Sequence, residues 1–365
     1  MVRKLHKYIS LTLVAVWLVQ AITGVSNVFY RELDAALLSG FTAASPSFDE
    51  SRWAAKIDEL RHARQPARLS SVYASGGSAH EFDVFLHTAD DGLHVLRVNR
   101  EGRVLREQPW AVNVSRSGVL LSMRLLHETL LIGSNALVFI GLSGIFLLSN
   151  LLLGIRQAWQ RRGQWWGALS ARSAARGDLR LLAWHRAAGS WLAIPLIVVV
   201  GSGVGVAFTD QLEALAGPPT PGIQYVPDDV IGTSGRISLA KALAEARTLY
   251  PDAKLSIISM PSLDRPYYDF RFVQAHELRR VFGKTSVAVD ALTGNILADF
   301  DQRDRPAANR FIDALYATHT GEIGGLAGRL IVFSSGVGLT VLMVFGLSLW
   351  WSRRRLRAGR SGKAA

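Results

Sequence analysis

Four long apolar runs interrupt an otherwise mixed chain, at residues 8–30, 130–155, 191–208 with its flanks, and 330–351. Each approaches the ~20 residues that an α-helix needs to cross a hydrocarbon core at 1.5 Å rise per residue. Four transmembrane helices are therefore predicted. Between the first and second runs the pattern changes character. Residues 48–64 read as a helix, and short alternating runs at 81–87, 93–99 and 104–107 read as strands, with a turn at Glu101-Gly102. Between the third and fourth runs the same order returns. A helix is predicted at 238–250, strands at 255–260, 268–273, 285–290 and 295–298, and a turn at Thr293-Gly294.

The pattern repeats residue by residue. At an offset of 179, His6 falls on His185, Thr23-Gly24 on Ser202-Gly203, Phe29 on Phe208, Leu33 on Leu212 and Asp34 on Glu213, without a gap. At an offset of 192, His127 falls on His319, Gly133 on Gly325, Ser143-Gly144 on Ser335-Gly336, Gly154 on Gly346 and Trp159 on Trp351. The expected fold is an integral membrane α-helical bundle of four transmembrane helices, built as a pseudo-two-fold tandem repeat. It carries two α+β domains outside the membrane. In order, the expected parts are helix 1 (1–35), domain 1 (36–118), helix 2 (119–160), a loop (161–180), helix 3 (181–212), domain 2 (213–318), and helix 4 with a basic tail (319–365). Both copies start on the same side, so the repeats are parallel and related by an axis along the membrane normal. The basic start followed by an apolar run has the outline of a signal peptide. Its length and its internal repetition favour a retained span.

Charge orients the bundle. The chain carries a net charge of +12, which by itself suggests a polyanionic partner. Its distribution points elsewhere. The leader, the 156–180 stretch and the tail together hold 15 basic residues against the single acid Asp178, leaving −2 for the rest of the chain. By the positive-inside rule both termini and the middle loop are cytoplasmic, and the two domains face outward. No nucleic-acid partner is expected; the membrane lipid is. The chain has no cysteine, which excludes iron–sulfur clusters, thiolate zinc sites and covalently attached c-type haem.

The endings VLRVNREGRVLRE (95–107) and SVAVDALTGNILAD (286–299) both read as a strand, an Asn or Asp, a glycine turn and a second strand. The second resembles the ending of PepSY domains. The first departs from it, with Asn99 where the second has Asp290. A histidine-started span, a PepSY-like domain and further spans together resemble the PepSY-associated transmembrane family, over nearly the whole chain. That resemblance implies a bacterial inner-membrane location and an activity of the siderophore-reductase type with two haems.

Nine histidines are present, and four belong to spans: His6, His127, His185 and His319. By topology His6 and His185 lie at the cytoplasmic end, His127 and His319 at the outward end. Each pair is matched by the repeat, so its members straddle the pseudo-axis at equal depth. Two facing imidazoles in an apolar bundle suit a bis-histidine b-type haem. Zinc suits two imidazoles without further donors poorly; caps and satisfied core residues are the structural alternative. Arg124, Arg310 and Arg329 are candidate propionate partners, or interfacial anchors. The Ser-Gly and Thr-Gly pairs in all four spans serve close helix packing or room for a flat macrocycle. Two layer spacings are open. One is about 40 Å if His127 and Arg156 mark the two levels; the other is about 25 Å if the Thr23-Gly24 level takes the outward histidines. The shorter is preferred, with Trp17 placed to bridge the gap. Trp165-Trp166, Trp350 and Trp351 read as an interfacial belt. The chain lacks a nucleotide-binding motif: Gly201, Gly203 and Gly205 lie inside a membrane helix with no preceding strand. Electrons would come from a cytoplasmic donor or a quinol, and the expected substrate is a ferric siderophore. The competing expectations are a haem-free scaffold that regulates a partner such as a peptidase, and a di-haem carrier serving another oxidoreductase.

Overall fold

The computed structural model describes residues 1–39, 48–76, 81–90, 92–115, 118–133, 135–159, 169–170, 177–217 and 236–361. The Trp165-Trp166 pair and most of the 161–180 loop lie outside them. The chain divides into a helical unit (residues 1–28, 123–212 and 315–365) and a sheet unit (29–122 and 213–314).

The helical unit contains four helices long and apolar enough to cross a membrane: α1 (Val2–Val28), α5 (Ala136–Ala158), α6 (Asp178–Ala207) and α10 (Gly325–Ser361). They close a ring in which α1 packs against α5 and α10, and α6 against the same two. Helices α1 and α6 are thus diagonal partners. The interior is filled from all four spans by Trp17, Ala21, Leu147, Leu196, Leu339 and Leu342. Trp17 donates its indole N–H to the Ser143 carbonyl at 3.1 Å, which removes the cost of burying that donor in hydrocarbon.

Two spans begin differently from the reading of the sequence. The apolar run at 130–155 predicts an unbroken helix, yet α4 (Val119–Thr129) ends before it, and α5 starts only at Ala136. Between them Leu130, Leu131 and Gly133 take positive φ values of 47°, 64° and 81°. Only glycine adopts that region freely; each leucine costs roughly 1–2 kcal/mol there. Hydrophobicity records depth, not backbone sign, so the run conceals the break. The matching approach is α9 (Ala307–His319), followed by Gly321 and Gly325 with φ of 78° and 57° and then by α10. His127 and His319 therefore sit on short helices that precede the spans.

In the sheet unit the two non-membrane segments form one antiparallel sheet. Its order is β4-β3-β2-β1-β5-β6-β7-β8, with β1 (Arg68–Ala74), β2 (Phe82–His87), β3 (Leu93–Val98), β4 (Val104–Pro109), β5 (Lys254–Ser259), β6 (Tyr267–Val273), β7 (Thr285–Asp290) and β8 (Ile296–Phe300). The segments expected as separate domains meet where β1 pairs with β5, Val72 opposite Ile258. Helices α3 (Glu50–Ala63) and α8 (Leu239–Leu249) cover one face. A shared core runs under both, from Trp53, Ile57 and Val84 to Leu243, Phe270 and Val289. Asp49 and Ser238 cap these helices, each accepting from the backbone N–H three residues on. The β1 strand has no counterpart among the predicted strands. A bulge between Leu69 and Ser71 shifts its register against β2 and breaks the two-residue alternation that marks a strand.

Asn99 and Asp290, the point at which the two hairpin endings differ, do the same work. Asn99 Oδ1 accepts from the N–H groups of Glu101 and Arg103, and Asp290 Oδ1 from those of Leu292 and Thr293. Helix α2 (Tyr30–Ser39) is tied to the sheet by a buried ionic cluster. Asp34, 1% exposed, pairs with Arg97 at 2.6 Å and Arg106 at 2.7 Å, while Arg97 also reaches Asp83 and Glu81. Burial alone pushes the Arg97 pKa down, but Asp83 and Asp34 outweigh it and hold the guanidinium firmly charged.

Candidate functional site

The four span-associated histidines all lie in the helical unit, and each lies against a glycine on a neighbouring helix. His127 lies on Gly24 of α1, where a Cβ would come within 3.0 Å of its ring; His319 lies on Gly203 of α6, where the figure is 2.7 Å. His6 faces Gly154 of α5 at 3.4 Å and His185 faces Gly346 of α10 at 3.6 Å. Glycine is required at the tightest of these because any side chain would occupy the space of the imidazole.

One helical turn before each glycine is the carbonyl that the ring addresses. His127 Nδ1 lies 3.1 Å from the Gln20 carbonyl and 3.2 Å from Thr23 Oγ1. His319 Nδ1 lies 2.9 Å from the Val199 carbonyl, and His6 Nδ1 lies 3.1 Å from that of Asn150. His185 is directed at the backbone of Leu342 without making a hydrogen bond among the described residues. A carbonyl only accepts, so in the three bonded rings Nδ1 carries the proton and Nε2 keeps its lone pair. A backbone carbonyl on the second nitrogen is the usual way in which a metal-ligating histidine is oriented.

The acceptors and the glycines obey the same offsets as the histidines: 20 and 199, 150 and 342, 24 and 203, 154 and 346. At one level the rings of His127 and His319 face each other, centres 6.2 Å apart and planes within 17°. At the other level His185 and His6 lie near one another. Metal–imidazole bonds of about 2 Å on either side of one ion, with the distance from each nitrogen to its ring centre, add up to roughly 6 Å. The His127–His319 separation leaves room for both imidazoles to hold one metal between them. Among the described residues no group of three or more His, Asp or Glu gathers to hold a bare ion, so each level offers two imidazoles and no third such donor. That donor set suits a metal whose remaining positions are filled by a macrocycle.

The two levels are separated by the length of α1 from His6 to Thr23, about 25 Å by helical rise, because His127 packs at Thr23-Gly24. This is the shorter of the two spacings open from the sequence. Of the four Ser-Gly and Thr-Gly pairs, two receive histidines. The other two serve packing, with Val204 against Gly144 and Val25 against Gly336. The inner cradles, Gly154 and Gly346, are visible in the sequence only as matched positions; what marks them is a glycine four residues after a carbonyl facing a histidine.

The three candidate arginines have different settings. Arg329 is buried and donates from Nη2 at 2.7 Å to the carbonyl of Val28, the last residue of α1, which satisfies an orphan helix-end acceptor. Arg124 pairs with Glu128 one turn along α4 at 2.9 Å. Arg310 belongs to the sheet unit, is exposed, and donates to the Arg303 carbonyl at 3.3 Å.

Fold and site together define a polytopic membrane protein with a four-helix bundle, paired imidazoles at two depths, and a sheet unit outside the spans. The chain matches the family described as the PepSY-associated TM region over residues 3–353. It belongs to that family. No curated protein matches it.

Proposed function

We propose that this protein carries electrons across a bacterial cytoplasmic membrane on two b-type haems and delivers them to a ferric siderophore on the outward side. The observation that carries the proposal is the arrangement of four histidines by the repeat: each lies on a matched glycine, three direct Nδ1 to a backbone carbonyl, and His127 faces His319. His6 and His185 hold the inner group, His127 and His319 the outer one. Bound there, haem supplies reversible one-electron chemistry. The chain's own residues fix the ligand tautomer, exclude water, and keep the groups at separate depths. Trp17 and the leucines around it fill the interval between the levels. Reduced iron binds hard oxygen donors more weakly than ferric iron, so a one-electron delivery releases the metal from its chelate.

The same reading makes the chain a tandem duplication, each half supplying a span, a helix with four strands of PepSY type, and a second span. The basic residues at both termini and in the middle loop support a cytoplasmic side for those regions. The donor is then a cytoplasmic reductant or a membrane quinol. The visible spectrum of the purified full chain is the first test, with two haems per chain and a low-spin bis-imidazole signature expected. The double variants His6→Ala/His185→Ala and His127→Ala/His319→Ala should each remove one. A protein without haem is a scaffold for a partner. A haem protein that leaves ferric siderophore unreduced under donor excess is a carrier for another oxidoreductase.

A further inference from the structure

The two levels differ in how evenly their rings are held. At the outer level both rings hydrogen-bond a carbonyl, at 3.1 Å and 2.9 Å, and Thr23 Oγ1 also lies 3.2 Å from His127 Nδ1. At the inner level only His6 makes such a bond. His6 is enclosed in a loop of hydrogen bonds: its Nδ1 addresses the Asn150 carbonyl, Asn150 Nδ2 donates to Ser10 Oγ at 2.9 Å, and Ser10 Oγ donates back to the His6 carbonyl at 2.7 Å. Asn150 is 6% exposed. The positions that answer Ser10 and Asn150 across the offsets are Gly189 and Leu342. They also touch, with the Leu342 methyl 3.8 Å from where a Gly189 Cβ would be, but they offer no polar side-chain atom. His185 Nδ1 is buried and directed at the Leu342 backbone, but it falls short of hydrogen-bond geometry.

We propose that the inner pair is unequal, with His6 the fixed ligand and His185 the exchangeable one, so that the inner site opens a coordination position on the His185 side. This deepens the haem reading and rests on it. The physical reason is that loss of the outer-shell hydrogen bond on a ligating histidine weakens metal affinity by about 10–100-fold. Asn150 and Ser10 act as positioning residues for His6. His185 has only its weaker approach to the Leu342 backbone, with no polar side chain at Gly189 or Leu342 to brace it.

Four single variants of the full chain test this, His6→Ala, His185→Ala, His127→Ala and His319→Ala, read by haem per chain and by spin state. His185→Ala should keep close to two haems per chain, one of them turned high-spin. His6→Ala should keep about one. The two outer variants should match each other. Where an alanine variant fails to fold, the Gln variant at the same position keeps a polar side chain of similar reach and is read in the same way. As an independent arm, Ser10→Gly/Asn150→Leu gives His6 the surroundings of His185; in that background the difference between His6→Ala and His185→Ala should vanish. Equal haem loss from His6→Ala and His185→Ala, or greater loss from His185→Ala, overturns the inequality while leaving the haem reading intact. Absence of haem from the unsubstituted protein overturns both.

Discussion

The glycine cradles give a graded prediction that can be worked from distances. An ideal Cβ at Gly203 falls 2.7 Å from His319 Cε1 and 2.8 Å from its Nδ1, whereas at Gly346 it falls 3.6 Å from His185 Cε1. Ordinary contact begins near 3.5 Å, so Gly203→Ala requires the imidazole to retreat by about 0.7 Å. Retreat along the line of the Nδ1 bond carries the 2.9 Å contact with Val199 to about 3.6 Å, beyond hydrogen-bond reach. The lost bond costs ~1 kcal/mol and overpacking a further ~1–3 kcal/mol. On the haem reading the disoriented ligand lowers affinity by about 10–100-fold. Gly346→Ala meets none of this and gains up to ~1 kcal/mol of helix propensity. Gly24 at 3.0 Å and Gly154 at 3.4 Å fall between. The measurements are thermal stability of each purified Gly→Ala variant and haem titration into its apoprotein. Loss should follow the order Gly203, Gly24, Gly154, Gly346 in both. A Gly346→Ala as damaging as Gly203→Ala, or a Gly203→Ala without effect, would refute the packing argument.

Other outcomes follow from separate parts of the molecule. A reporter fused after Ala365 should be cytoplasmic and one inserted after Gly76 periplasmic, read by paired phosphatase and fluorescent fusions; a cytoplasmic signal at Gly76 defeats the orientation. Asp34→Asn leaves Arg97 and Arg106 with one buried partner fewer and should destabilise the sheet unit by ~3–5 kcal/mol, seen as a lower denaturation midpoint. Burial opposes ionisation of Asp301, but Arg303 and Gln274 outweigh it and depress its pKa from 3.8 to about 2. A depressed carboxylate stabilises the fold above its unfolded pKa, and that contribution is lost as pH falls from 3.8 through about 2. Asp301→Asn should flatten the acid limb of the stability profile over that window, and an unchanged limb would count against the pairing.

Much of the fold is legible because two periodicities and a charge bias are enough to state it. The apolar runs locate α1, α5, α6 and α10, and alternation locates seven of the eight strands. The misses have local causes. The β1 bulge disguises a strand, and the left-handed Leu130 and Leu131 hide a break within apolar sequence. The histidines are legible from their matched positions, but their acceptors are not. Gln20, Val199 and Asn150 contribute backbone carbonyls, and a carbonyl leaves no trace in the identity of its residue. The single β1–β5 junction that joins both segments into one sheet is likewise a backbone pairing.

That distinction also explains which matched positions have diverged within the chain. An acceptor that works through its carbonyl tolerates any side chain, and so Gln20 answers to Val199 and Asn150 to Leu342. The position one turn later must be empty, and there both members of each set are glycine. The interior shows the same division: Leu147 answers to Leu339, whereas Trp17 answers to Leu196, and all four are buried. Freed side chains on α1 and α5 are where polar and aromatic character accumulates, in Ser10, Trp17, Gln20 and Asn150. A backbone-supported frame thus fixes where the imidazoles stand. Side chains around it make the two otherwise equivalent halves chemically different.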